Sequence, residues 1–168
     1  MKIQEVIDAL EQFAPLPLQE SYDNAGLQVG LTEADVSGAL LCLDVTESVI
    51  DDAVARGCNL IIAHHPLLFR GLKMVSDADY VQRSVWKAVQ NNVCIVAMHT
   101  NLDNAYGGVN HEIAALLGLE NVTFLAGQRT IPDPYGGMTP QSQLTGGSGI
   151  IGTLGQETDP ETFIHDVK

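Results

Sequence analysis

Three continuous apolar segments, each followed by a stretch with helical spacing, constrain the fold of this chain more than any other feature. The apolar segments are residues 38–45, 58–63 and 93–98. The stretches that follow them have apolar residues three and four positions apart and are predicted as helices 47–56, 77–91 and 109–117. Continuous apolar strands that alternate with amphipathic helices are typical of a parallel sheet buried on both faces. We therefore predict an α/β fold with a largely parallel sheet and helices on both faces, in three layers.

Local signals predict where further helices begin and end. Residues 3–13 also have helical spacing, and Pro15 follows them. Thr46 is placed as the N-cap of helix 47–56, and Gly57 lies just beyond the end of that helix. The segment Asp159-Pro160-Glu161 is typical of a helix start.

The character of the sequence changes after residue 126. Residues 127–149 are rich in Gly, Pro, Gln, Ser and Thr without an apolar period, which predicts a long loop, and a strand is predicted over 148–155. We predict an α/β metal-binding domain over residues 1–126. Residues 127–168 are predicted as a Gly/Pro-rich loop, a strand and the start of a helix, the beginning of a truncated C-terminal portion.

The net charge of the chain argues against some classes of binding partner. The net charge is −13, from 21 acidic and 8 basic residues, which argues against binding to nucleic acid or to an anionic membrane surface. The apolar runs are too short to span a membrane, and the N-terminus lacks the apolar segment of a signal peptide, so a cytoplasmic location is predicted. The three cysteines form no Cys-x-x-Cys pair and are predicted to be reduced and buried.

Polar side chains that bind metals follow the apolar segments. Asp44 ends the first, His64 and His65 end the second, and His99 and Asp103 follow the third. Because the carboxyl ends of parallel strands meet at one edge of a sheet, we expect these side chains at the same edge. Imidazole and carboxylate are ligands of zinc, manganese and iron. The pattern therefore predicts a metal site there.

The adjacency of His64 and His65 favours two ions over one. Neighbouring side chains in a regular strand point to opposite faces, so at a strand end the pair would reach two neighbouring ions, as in dinuclear hydrolases. His99 is interpreted as a metal ligand, as a partner that orients a ligand, or as a general base. Asp44 is a candidate for the substrate cleft or a helix cap.

Four motifs in order resemble the YbgI-like dinuclear metal proteins, also called GTP cyclohydrolase 1 type 2 homologues. The matching stretches, within residues 1–125, are Tyr22 to Gly30, Leu43 to Thr46, Ala63 to Leu67, and His99 to Ala105 with Gly107 to Asn110. In the first motif, Asp23 and Asn24 are predicted to form either a connecting turn or part of a substrate cleft.

The resemblance implies that His64 and His65 each bind one ion of a pair of divalent metals and that Asp103 joins the ion of His65. It also implies a homo-oligomer, a hexamer. The family completes its site with a His and a Glu near its C-terminus, for which residues 1–168 offer no match.

The leading hypothesis is a metal-dependent hydrolase that acts on a nucleotide-like or phosphate-bearing small molecule, of the GTP cyclohydrolase type by the family's name. In this hypothesis His99 is the catalytic residue. The alternative is a non-catalytic metal-binding ring that recruits partners or buffers metal.

Overall fold

The computed structural model describes residues 1–132 and 143–167. The described chain forms two compact units, Met1–Asn101 and Leu102–Lys168, and each unit is described by itself. No helix of the described residues is long and apolar enough to cross a membrane.

The first unit is an α/β unit built on a four-stranded sheet. Its elements, in chain order, are α1 (Ile3–Phe13), a 3-10 turn (Leu16–Leu18), β1 (Gly26–Val29), β2 (Ala39–Cys42), α2 (Glu47–Ala55), β3 (Leu60–Ala63), α3 (Tyr80–Gln90) and β4 (Cys94–Ala97). The strand order across the sheet is β1-β4-β3-β2. The predicted helices 3–13, 47–56 and 77–91 are therefore present, with ends that differ by up to three residues.

The sheet is mixed, so the prediction of a largely parallel sheet holds only in part. Strands β2, β3 and β4 are parallel, in a register that aligns Leu40 with Ile61 and Ile61 with Ile95. Strand β1 instead runs antiparallel to β4, with Gly26 opposite Ala97. The helical crossovers through α2 and α3 force the parallel pairs, whereas β1 precedes them and occupies the far edge. Nothing in its four residues signalled that direction.

The two faces of this sheet pack against different helices, as the alternation of strand side chains requires. On one face Leu60, Cys94 and Val96 pack with Ile3 and Ile7 of α1. On the other face Ile61 and Ile95 join a larger buried cluster to which α2 and α3 contribute, through Ile50, Ala53, Val85 and Ala88. Helices therefore cover both faces of the parallel strands, as predicted.

The predicted start of α2 is correct, and its end lies one residue before the predicted one. The Thr46 hydroxyl accepts a hydrogen bond from the backbone N–H of Val49 at 3.3 Å, and Gly57 adopts a left-handed φ of 70° just after the helix.

The second unit has an antiparallel pair of long strands. It contains α5 (Val109–Leu116), β5 (Leu119–Pro132), β6 (Gln143–Leu154) and α6 (Pro160–Val167), while the short α4 (Thr100–Asn104) begins in the first unit and ends in the second. Strand β5 pairs only with β6 among the described residues. Helix α6 begins where Asp159-Pro160-Glu161 predicted, with an Asp159 oxygen accepting a hydrogen bond from the Thr162 N–H at 3.1 Å.

The predicted loop over 127–149 is wrong at both of its flanks, because β5 continues to Pro132 and β6 begins at Gln143. Its central part, 133–142, lies outside the described residues. The ribbon is rich in glycine and polar residues, so it lacks the apolar period from which strands are recognised. Gly127, with a φ of 63°, lies at a register shift between Ala126 and Arg129. The predicted domain boundary after residue 126 falls within β5 and stays a prediction.

Candidate metal centre

Backbone hydrogen bonds of the parallel strands continue past the end of β3 and fix the position of two histidines. The N–H groups of His64 and His65 donate to the carbonyl oxygens of Cys42 and Leu43, at 3.1 and 2.9 Å. The next residue, Pro66, has no N–H to donate, so the pairing stops there. The end of β3 is thus held rigidly at the carboxyl edge of the sheet.

The structure brings together three of the residues that the sequence placed at this edge. His64, His65 and His99 each offer one ligand atom, and these atoms all lie within 4.8 Å of one another. The ring centroids are 5.0 Å apart for His64 and His65, 5.3 Å for His64 and His99, and 5.6 Å for His65 and His99. We call these three residues the histidine cluster. Beyond the regular part of β3, two consecutive histidines therefore lie in one cluster and not on opposite faces.

Each ring of the histidine cluster has its Nδ1 atom engaged by an oxygen. The acceptors are the Met98 carbonyl for His64 at 2.9 Å, an Asp44 carboxylate oxygen for His65 at 2.8 Å, and an Asp23 carboxylate oxygen for His99 at 2.7 Å. Carbonyl and carboxylate oxygens only accept, so each Nδ1 donates its proton and each neutral ring carries its lone pair on Nε2. This tautomer suits a metal ligand, and oxygen partners of this kind orient such histidines in metal sites.

Asp23 is a buried anchor for His99. Its side chain is 0% exposed. Besides the bond from His99, its oxygens accept hydrogen bonds from the backbone N–H of Asn24 at 2.7 Å, and from the backbone N–H of Thr100 at 3.1 Å and the Thr100 hydroxyl. Burial alone would raise the pKa of Asp23, but these hydrogen bonds outweigh it and hold the pKa below its ordinary value.

Asp44 holds His65 in a far more exposed setting. The side chain of Asp44 is 64% exposed and that of His65 is 46% exposed. The side-chain cap of α2 is Thr46, so the structure gives Asp44 the contact with His65 in place of the capping alternative.

Asn24, the third candidate for a substrate cleft, joins two loops. Its side-chain amide donates to the Leu68 carbonyl at 2.6 Å, while the Leu68 N–H donates to the Gln28 side chain at 3.0 Å. Contact of Asp23, Asn24 or Asp44 with a substrate stays a prediction.

Two residues that position His99 received no individual role from the sequence. Asn101 is fully buried, its side-chain oxygen accepts from the His99 N–H at 2.9 Å, and its amide donates to the Ala14 carbonyl at 2.7 Å. Thr100 supplies the two donors to Asp23 described above. Both belong to the His99 motif, but only the fold shows that their partners lie more than 70 positions earlier in the chain.

Similar proteins identify the family of this chain. The sequence matches the Duf34/NIF3 (NGG1p interacting factor 3) family over residues 1–168. The chain belongs to this family. A "GTP cyclohydrolase 1 type 2 homolog" of Clostridium acetobutylicum is 36% identical over 126 residues, which cover 75% of this chain and 47% of that protein. The resemblance inferred from the motifs is thereby confirmed.

Solved structures of similar proteins superpose on this chain. Staphylococcus aureus protein SA1388 superposes with a TM-score of 0.83 and 28% identity, covering 99% of this chain and 64% of that one. The protein ybgI, of unknown function, superposes with a TM-score of 0.59 and 26% identity, over 74% of this chain and 49% of that one. The chain spans about a third to a half of the length of curated Duf34/NIF3 relatives such as those of Clostridium acetobutylicum and Staphylococcus epidermidis.

The remaining predicted ligand of this Duf34/NIF3 chain is Asp103. It lies in α4, in the second unit. Its predicted role as a ligand of the ion held by His65 stays a prediction.

The cysteines offer no reactive thiolate at this edge. Burial raises the pKa of Cys94 to about 11, and burial followed by the nearby Asp44 charge raises the pKa of Cys42. Cys94 is buried as predicted, while Cys42 and Cys58 are only half-buried.

Proposed function

We propose that this chain carries the N-terminal part of the dinuclear centre of a divalent-metal-dependent hydrolase. His64 and His65 each hold one ion, Asp103 joins the ion of His65, and the ions are zinc, manganese or iron. The observation that carries the proposal is the histidine cluster, in which three rings, each fixed at Nδ1 by an oxygen, offer ligand atoms within 4.8 Å of one another. Such a set fits the chemistry of these metals.

Divalent ions at such a centre lower the pKa of water and polarise the bond under attack. The protein residues bind, orient and move protons. His64 is oriented by a backbone carbonyl and His65 by Asp44. In each ring the Nε2 lone pair therefore points away from the oxygen that holds Nδ1. His99 accepts a proton at Nε2, and the buried Asp23 carboxylate stabilises the imidazolium that results.

We further propose that the substrate is a small nucleotide-like or phosphate-bearing molecule, in line with the name of the curated relatives. A homo-oligomer, a hexamer by family resemblance, and a cytoplasmic location belong to the same proposal. The net charge of −13 supports a partner other than nucleic acid or an anionic membrane.

The test combines metal content with turnover. Elemental analysis of the purified full-length subunit should find about two divalent ions per subunit, and its turnover of GTP should stop in a chelator and return with added metal. His65→Ala should lose both metal and turnover. His165→Ala is the matched control, because His165 also faces a carboxylate, that of Asp166 at 3.6 Å, but its side chain is 89% exposed and lies in the second unit. Metal-independent turnover, or turnover unchanged in His65→Ala, contradicts the proposal.

A second candidate, a metal-binding protein without turnover, is supported by the compactness of the histidine cluster. Three ligand atoms within 4.8 Å also suit one ion bound by all three rings, which would leave no ring to move a proton. His99→Ala separates the two functions. The hydrolase keeps its metal and loses turnover, whereas the binding protein loses its metal and has no turnover to lose.

A further inference from the structure

Two exposed aromatic side chains stand beside the histidine cluster. The ring of Phe69 lies 6.3 Å from the ring of His99, almost perpendicular to it at 88°, and 6.5 Å from the ring of Tyr22, tilted by 59°. Phe69 is 44% exposed and Tyr22 is 66% exposed. We call Tyr22 and Phe69 the aromatic wall. Neither residue is used by the metal chemistry proposed above.

The loops that carry the aromatic wall are fastened to each other. The backbone of Leu68, next to Phe69, is held on its carbonyl side by Asn24 at 2.6 Å and on its N–H side by Gln28 at 3.0 Å. Gln28 in turn donates to the Asn24 carbonyl at 2.7 Å. The exposed rings are thus kept in place by specific polar bonds, so a ligand that stacks on them orders little additional chain.

The same loop also sets the histidine cluster. Asp23 holds His99 while its neighbour Asn24 holds the loop of Phe69. One turn therefore fixes the distance between the aromatic wall and a ring of the histidine cluster.

We infer that the aromatic wall receives the planar heteroaromatic ring of the substrate by stacking, and that this ring, more than any phosphate, is what the site recognises. The inference rests on the proposed function, whose substrate class it narrows. Stacking on exposed aromatic rings is a common way for proteins to hold nucleobases. A ring beside Phe69 would lie within reach of the histidine cluster, where hydrolysis is proposed.

The charge of the protein itself favours the ring over a phosphate wherever the ligand does not contact a metal ion. Two carboxylates, Asp23 and Asp44, contact the histidine cluster directly, and the chain carries a net charge of −13. These charges repel a polyphosphate and not a neutral ring, whereas divalent ions bound at the histidine cluster would attract a phosphate. Arg70, the exposed residue after Phe69, is a cation that could instead bind a phosphate, so its substitution tests phosphate recognition.

The experiment measures calorimetric binding of two probes that represent the two parts of a nucleotide, guanosine and inorganic tripolyphosphate. Guanosine should bind the parent chain, and Phe69→Leu and Tyr22→Leu should each weaken that binding about tenfold. Phe69→Tyr, which keeps an aromatic ring, should bind guanosine about as well as the parent chain. Phe13→Leu is the matched control, because Phe13 is 51% exposed at the end of α1 and should leave binding unchanged. Unfolding midpoints and metal content verify that every variant is folded.

Other outcomes overturn the inference. Guanosine that fails to bind the parent, or that binds Phe69→Leu as well as the parent, removes the role of the aromatic wall. Tripolyphosphate that binds more tightly than guanosine and is weakened by Arg70→Ala shows phosphate recognition in its place. Guanosine binding that depends on Phe69 in a protein without turnover supports the aromatic wall and refutes the hydrolase, so the two failures are distinguishable.

Discussion

The two histidine–aspartate pairs of the metal centre share one chemical arrangement in contrasting surroundings. His99 and Asp23 form a pair whose histidine side chain is 18% exposed and whose carboxylate is 0% exposed. His65 and Asp44 form a pair with exposures of 46% and 64%. The distances from Nδ1 to the carboxylate oxygen are nearly equal, 2.7 and 2.8 Å. The two pairs therefore differ in how far the carboxylate is buried and in how many further hydrogen bonds it accepts, and not in the hydrogen bond from the histidine.

The contrast shows that one edge of a sheet holds both a histidine of fixed orientation, His99, and one whose orientation can adjust, His65. Asp23 is held by three donor groups besides His99, so the orientation of His99 is set by the fold. Asp44 is open to water, which competes for its oxygens and permits the His65 ring to adapt when an ion binds. Three predictions, from the largest expected effect to the smallest, test this difference.

Asp23→Ala should have the largest effect. It leaves four donors without their acceptor in a site sheltered from water, which should lower the free energy of unfolding by about 2–4 kcal/mol. Loss of the oxygen that orients His99 should also lower turnover by about 100-fold or more while the metal stays bound, because His99 is proposed to move a proton and not to hold an ion. Denaturant titration gives the first quantity and a turnover assay with saturating metal the second. A loss below about 1 kcal/mol would show that water replaces the carboxylate, and the contrast between the pairs would then collapse.

Thr100→Val should have an intermediate effect that separates stability from turnover. The substitution removes a hydroxyl that donates to Asp23 and accepts from the Glu20 N–H at 2.9 Å, while the His99 to Asp23 bond remains. We expect the free energy of unfolding to fall by about 1–2 kcal/mol, with turnover nearly unchanged. Thr46→Val is a useful control, because it also replaces a threonine but removes only bonds at the start of α2, to Ser48 and Val49. A large loss of turnover in Thr100→Val would mean that the Thr100 hydroxyl is needed to orient His99.

The sequence predicted that His64, His65 and His99 would lie at one edge of the sheet, but not what holds them. The convergence of His64, His65 and His99 follows from the parallel order of their strands, which continuous apolar runs reveal. The partners of the rings depend on loop conformation. Asp23 lies 76 positions before His99, and the Met98 carbonyl that holds His64 belongs to the backbone, which no sequence pattern marks.

For the fold, too, local features were predicted correctly and long-range pairing was not. Caps at Thr46 and Asp159 and the left-handed Gly57 are local signals, and they were read correctly. The direction of β1 is set by its long-range pairing with β4, and the β5–β6 ribbon lacks an apolar period, so local patterns missed both.

Asp44→Ala should have the smallest effect, and it is the sharpest test of the comparison because it makes the same chemical change as Asp23→Ala. An exposed pair of this kind contributes about 0–1 kcal/mol, so the free energy of unfolding should barely change. His65 loses the acceptor of its Nδ1 proton, and water can replace it. Metal affinity should therefore fall about tenfold, at the weak end for residues that orient a ligand. If Asp23→Ala lowers metal affinity as much as Asp44→Ala does, then both carboxylates orient a metal ligand, and the assignment of His99 to proton transfer is wrong.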